Sequence, residues 1–143
     1  MKNLTLFLAT AIISILGSCT KTVEPGECKF KTTSGNAESV VGKWKVVSIA
    51  SGGMSLEGRK TIDLTCSNVF YEFLKSGIVK ISSDDERYQS QLGESKYSME
   101  EKNKEISGIK INTSFWPCKV TKSQLTLDWS HGDGPKIEMY RIK

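Results

Sequence analysis

From residue 38 to the C-terminus, apolar side chains recur at every second position in short runs, and polar or glycine-bearing stretches separate the runs. In residues 43–50 (KWKVVSIA), Trp44, Val46 and Ser48 alternate with Lys45, Val47 and Ile49. A period of two marks a strand with one buried face. The same pattern predicts strands at 68–75, 78–82, 96–101, 105–112, 116–121, 124–130 and 136–143. Turns fall at Ser76-Gly77, Asn103-Lys104, Lys122-Ser123 and Gly132-Asp133-Gly134-Pro135, while 51–65 and 83–93 read as polar loops. Residues 37–41 can make one helical turn ahead of Gly42. About eight strands with turns every 8–15 residues, and no long amphipathic helix, predict an all-β antiparallel fold.

Closure into an eight-stranded up-and-down barrel follows from the edges. Sequential hairpins make each strand its neighbour's partner, and joining the last to the first removes both exposed edges. Eight strands enclose just enough room for side chains or for one small ligand. In the first half of such a barrel Tyr71, Phe73, Val79, Ile81 and Tyr97 face inward. Met99, Ile109, Ile111, Leu125, Leu127 and Trp129 do so in the second. Tyr71, Phe73, Tyr97, Met99 and Trp129 are the candidate ligand contacts, because aromatic and thioether groups accept varied apolar molecules.

The chain start follows a different pattern. Met1-Lys2-Asn3 is a short positive beginning, and residues 4–16 (LTLFLATAIISIL) carry no charge. About 13 helical residues reach roughly 20 Å, short of a hydrocarbon core of about 30 Å. The segment therefore reads as the h-region of a signal peptide. Leu16-Gly17-Ser18-Cys19 resembles the lipobox of bacterial lipoproteins. That resemblance implies cleavage after Ser18, attachment of palmitate-type acyl chains through Cys19, and a membrane anchor stable enough to hold the protein. Thr20 stands where an aspartate would mark inner-membrane retention, so the outer membrane of the cell envelope is the expected location. Residues 19–37 lack hydrophobic periodicity and read as a tether, leaving 38–143 as the folded domain.

An exported chain meets oxidising conditions, and with Cys19 acylated three thiols remain: Cys28, Cys66 and Cys118. Cys66 and Cys118 lie in the domain beside apolar strands, which favours bridging them. Cys28 is then free, paired between molecules, or a replacement for one of the two.

Gly42-Lys43-Trp44, at the mouth of the first strand, resembles the Gly-x-Trp motif of lipocalins. Residues 71–77 (YEFLKSG) and the closing 139–143 (MYRIK) are similar to a hairpin and the last strand of the short lipocalin-like lipoproteins of Gram-negative bacteria. The resemblance implies a lipocalin-like barrel in which Gly42 lets the chain turn in, Trp44 plugs the closed end and Arg141 packs over Trp44.

Composition narrows the function. The basic excess, 20 against 16, is small and dispersed, which argues against nucleic acid; cleavage after Ser18 leaves a net charge of about +3. His131 is the single histidine, there is no Cys-x-x-Cys pair, and Asp84-Asp85-Glu86 lacks the alternating oxygens and glycine of a calcium loop. No metal or other cofactor is expected. With no nucleophile–base or paired-acid constellation, an enzyme is not expected either. The leading expectation is a membrane-anchored carrier of a small hydrophobic or amphiphilic ligand. The alternative is a protein-binding module, an inhibitor or immunity-type partner with a filled barrel, that uses loops 51–59 and 83–93.

Overall fold

The alternating runs close on themselves. A computed structural model describes residues 28–51, 60–103 and 105–143. The expected signal peptide, Cys19, and the turn residue Lys104 lie outside the described residues, as does the loop over 52–59. The strands are β1 (Gly42–Ala50), β2 (Thr61–Asp63), β3 (Phe70–Phe73), β4 (Ile78–Ser82), β5 (Gly93–Lys102), β6 (Glu105–Ile111), β7 (Ser114–Val120), β8 (Gln124–Asp128) and β9 (Lys136–Ile142). Every pairing is antiparallel, and β1 pairs with β9. The eight strands β1 and β3–β9 form a closed antiparallel up-and-down barrel, consistent with a lipocalin-like one, and β2 is an extra strand laid against the second half of β1.

Two bulges decide which side chains enter the core. On β1, Val46 pairs with Met139 and Ser48 with Glu138, so Val47 is an inserted residue. One extra residue reverses the parity of everything after it. Ile49, opposite Ile137, therefore packs on the core, and Ser48 points outward to donate to Glu138 Oε2 at 3.1 Å. Simple alternation assigned these two residues the other way round. On β6, Ser107 is inserted between Ile106 and Gly108, which lets both Ile106 and Ile109 pack inward. The resulting core is continuous, with Trp44, Val46, Phe73, Val79, Ile109, Leu125 and Leu127 all withdrawn from water.

The cysteine pairing differs from the expected one. Cys28 is bridged to Cys66, and Cys118 is a free, half-buried thiol on β7. Cys118 faces Leu127 across the sheet, with burial pushing its pKa up to about 11, whereas Cys66 lies in the loop after β2. Cys28 reaches Cys66 because the chain before β1 does not leave the barrel. Thr33 N–H donates to Arg141 carbonyl oxygen at 2.9 Å and Gly35 N–H to that of Lys122 at 2.8 Å. The segment expected to be tether up to residue 37 is thus strapped to the fold from Cys28 onward. Residues 37 and 38 form a turn, not the helical turn expected over 37–41.

Candidate ligand site at the open end of the barrel

The two ends of the barrel are built differently. At one end β3–β4, β5–β6 and β7–β8 are joined by short turns, and the chain entering β1 crosses the opening. Trp44 is fully buried there, and its Nε1–H donates to Val40 carbonyl oxygen at 2.7 Å. The Arg141 guanidinium carbon lies 4.1 Å from the centroid of the Trp44 ring. Its Nη1 donates to Val41 at 2.7 Å, and its Nη2 to Asn36 and Ser39 at 3.1 and 2.8 Å. Gly42 has φ +132°, and a Cβ there would come within 2.9 Å of Arg141 Nη1. Glycine meets both demands at this position.

The opposite end holds a cavity of about 390 Å³, within the range that small-ligand pockets occupy. Seven successive strands, β3 to β9, each contribute to it, through Tyr71, Ile81, Ser95, Ile111, Trp116, Leu127 and Ile137. That register places it in the barrel lumen. Ser90, Gln91 and Leu92, with Asn112, Thr113 and Ser114, complete the wall nearer the rim. Every lining side chain is uncharged. The floor is apolar, while the upper wall offers hydroxyl and amide groups. Tyr71 donates its hydroxyl to Gln91 Oε1 at 3.3 Å, and Asn112 Nδ2 donates to Ser95 Oγ at 3.0 Å. Burial pushes the Tyr71 phenol up to about 12, which keeps it a neutral donor. A larger concavity of about 610 Å³ lies toward the closed end, where Ala37 and Glu38 meet β6 and β7; the core-facing Ile106, Cys118 and Val120 line it, and Glu38, Glu105 and Lys119 give it mixed charge.

A short 3₁₀ turn, Glu86–Gln91, brings Ser90 and Gln91 to the lumen. The acidic run before it is structural. Asp85 caps the turn, accepting from Arg87 N at 3.0 Å and also pairing with the Arg87 guanidinium, and it accepts from Ser67 Oγ at 3.1 Å. Asp84 accepts from Asn68 N and Nδ2 at 2.7 and 2.6 Å. These bonds hold both carboxylates below the usual range and fasten the loop after β4 to the loop before β3. Tyr88, within the turn, is buried, and its hydroxyl has no hydrogen-bond partner among the described residues.

The five candidate contacts separate. Tyr71 lines the cavity, and Phe73 lies beside it toward the closed end, with ring centroids 6.3 Å apart. Tyr97 packs edge-on against Phe73 at 5.0 Å and donates to Leu74 carbonyl oxygen at 2.8 Å, away from the cavity. Met99 is 38% exposed because β4 pairs with β5 only as far as Ile78–Lys96, so the β5–β6 hairpin overhangs the wall. Trp129, also exposed, follows the end of β8, where alternation stops; it sits at the rim against Trp116, with centroids 5.6 Å apart. Sequence reasoning missed Ser95, Gln91, Trp116 and Ile137 as lining residues. Of these, Ile137 alternates with Met139 and Arg141 along β9 and was readable from that period.

Comparison with known proteins finds no protein-family model and no curated sequence that matches the chain.

Proposed function

We propose that this chain is a bacterial envelope lipoprotein, anchored through Cys19 to the outer membrane. Its lipocalin-like barrel holds one small, uncharged hydrophobic or amphiphilic molecule at the open end. The observation that carries the ligand reading is the lumen cavity of about 390 Å³, with an apolar floor, a hydroxyl- and amide-bearing upper wall and no charged lining residue. Burying a charged ligand there would leave its charge unpaired, at a cost of several kcal/mol. The anchor rests on Leu16-Gly17-Ser18-Cys19 behind an uncharged run.

Native mass spectrometry of protein purified from its own host's membranes tests the cargo. The expected spectrum shows a retained small molecule that is lost in Ile111→Trp, which fills the lumen from a half-buried wall position. If the wild-type protein retains nothing, and Trp116 fluorescence does not respond to titration with neutral amphiphiles, the carrier reading fails. Incorporation of labelled palmitate tests the anchor separately: Cys19→Ala abolishes it, and a still-acylated variant refutes the assignment.

A second reading has its own observation. Ile62, Leu92 and Trp129, each more than a third exposed, stand on elements at the open end, and exposed apolar groups of this kind mark protein contacts. A co-purified protein in place of a small molecule would favour it.

A further inference from the structure

A second concavity, of about 400 Å³, lies on the outer wall of the barrel, between the strapped N-terminal segment and β1, β3 and the end of β9. It shares no lining residue with the lumen cavity. Lys29, Lys31, Lys45 and Lys143 line it, and no acidic residue does. Lys43 stands next to it, its Nζ 4.7 Å from the Phe70 ring centroid. Lys45 is the built part of this surface. It is only 6% exposed, its ammonium donates to Ser67 carbonyl oxygen at 2.6 Å, and it lies 5.6 and 5.3 Å from the ring centroids of Phe30 and Phe70. Burial lowers its pKa, and Asp84 is the carboxylate whose field opposes that shift. Lys29, Lys31 and Lys143 are exposed around it.

The position of this patch along the chain identifies its occupant. The groove contains Cys28, and Cys28 lies nine positions after Cys19. Nine residues span at most about 30 Å when fully extended. A lipid on Cys19 therefore keeps this wall within about 30 Å of the bilayer, and on approach to within a Debye length of about 10 Å the clustered lysines feel an anionic surface.

We propose that the lysine-lined outer wall of β1, β3 and β9 docks on a bilayer bearing anionic phosphodiester headgroups, leaving the open end of the barrel uncovered. The proposal rests on the acyl anchor proposed above. Anionic headgroups meet the exposed lysines, and the Phe30 and Phe70 rings supply apolar area beside them.

The test uses mature protein purified from its host's membranes and reconstituted into vesicles of either phosphatidylglycerol or phosphatidylcholine. Its lysines are then acetylated with a water-soluble reagent and mapped by mass spectrometry. In phosphatidylglycerol, Lys29, Lys31 and Lys143 should be labelled at least threefold less than in phosphatidylcholine. Lys96 and Lys110, on β5 and β6, should be labelled equally in both. High salt should abolish the contrast; the combined Lys29→Glu, Lys31→Glu and Lys143→Glu substitutions, which remove these labelling sites, should abolish the matching contrast at the neighbouring Lys43 without changing thermal unfolding. Equal labelling in the two lipids, or protection of Lys96 and Lys110 to the same degree, overturns the proposal. The intact mass of the same sample reports acylation independently. A mass without acyl chains removes the anchor and leaves the labelling contrast to judge the docking surface alone.

Discussion

One end of this barrel is made of interactions that cannot be spared, and the other of interactions that can be rearranged. At the closed end the Trp44 indole donates to Val40 and two guanidinium nitrogens of Arg141 donate to the carbonyls of Asn36, Ser39 and Val41, while the buried Arg141 Nε has no partner among the described residues. At the open end three of the four connections are longer than any at the closed end, large apolar groups face solvent, and the buried Tyr88 hydroxyl likewise has no partner among the described residues. The difference shows how a small barrel can fold while part of its lumen stays unfilled. The strap and the Trp44–Arg141 contact fix the strand register at one end, and the lumen cavity lies at the other.

Trp44→Ala is the sharpest way to break that comparison. It should remove as much as about 5 kcal/mol, the upper range for deleting a buried aromatic, in equilibrium urea unfolding. A loss under about 1 kcal/mol would show that the closed end does not carry the fold. Next comes the bridge that fastens the strap. Cys28 and Cys66 are 38 positions apart, and the chain-entropy account of closing such a loop gives about 4 kcal/mol. Replacing both cysteines by serine should lower stability by up to that amount. It should also expose residues 28–41 to protease, while a Cys118→Ser variant keeps the wild-type disulfide mass. If Cys118→Ser were the variant that lost the bridge, the pairing described above would be wrong.

Alkali should act on the open end. The Tyr71 phenol is held up to about 12, against about 10 in an unfolded chain. Between those values the folded protein keeps a proton that the unfolded chain has released, so stability falls with rising pH. The contribution is fully present below pH 10 and is lost as pH climbs toward 12, about 3 kcal/mol in all. Tyr88 and Cys118 are shifted in the same direction by burial and add to the slope. Unfolding midpoints at pH 8, 10 and 11.5 should fall more steeply for wild type than for Tyr71→Phe; parallel curves would remove Tyr71 as the origin.

How much of this was legible depends on what holds each part. Strands built on alternating apolar residues were readable, and the eight barrel strands occur within a few residues of where the pattern places them. Alternation carries no information about an inserted residue. The Val47 and Ser107 bulges, which change what faces inward, therefore left no trace in it. β2 has three exposed residues and exists by edge pairing to β1, not by burial of its own. The strap over residues 28–41 is held by backbone bonds, a disulfide and Arg141, none of which needs apolar periodicity. The cavity was legible only in part. Its floor is alternating β residues such as Tyr71 and Leu127, but its upper wall comes from a 3₁₀ turn and a two-residue connection whose polar side chains resemble any surface loop.

The smallest expected effect is the most specific to the open end. Trp129 is 44% exposed, and the loop it begins is closed by backbone groups: its carbonyl accepts from Gly132 and Gly134 N–H at 3.0 Å each. Its N–H donates to Pro135 carbonyl oxygen at 3.1 Å, and none of these bonds needs the indole. Trp129→Ala should therefore cost under about 1 kcal/mol, the range of a partly exposed side chain away from the core. The indole does cover Gly134, where a Cβ would lie 2.6 Å from Trp129 Cε3, so Gly134→Ala should push the ring off the loop with a similarly small loss. Both changes uncover the face of Trp116 that Trp129 shields, and Trp116 lines the cavity. In Gly134→Ala, which keeps all three tryptophans, acrylamide quenching of tryptophan fluorescence should then rise, with unfolding midpoints nearly unchanged in both variants. A loss above about 2 kcal/mol would mean that the rim helps hold the barrel shut, and the division of labour between the two ends would have to be abandoned.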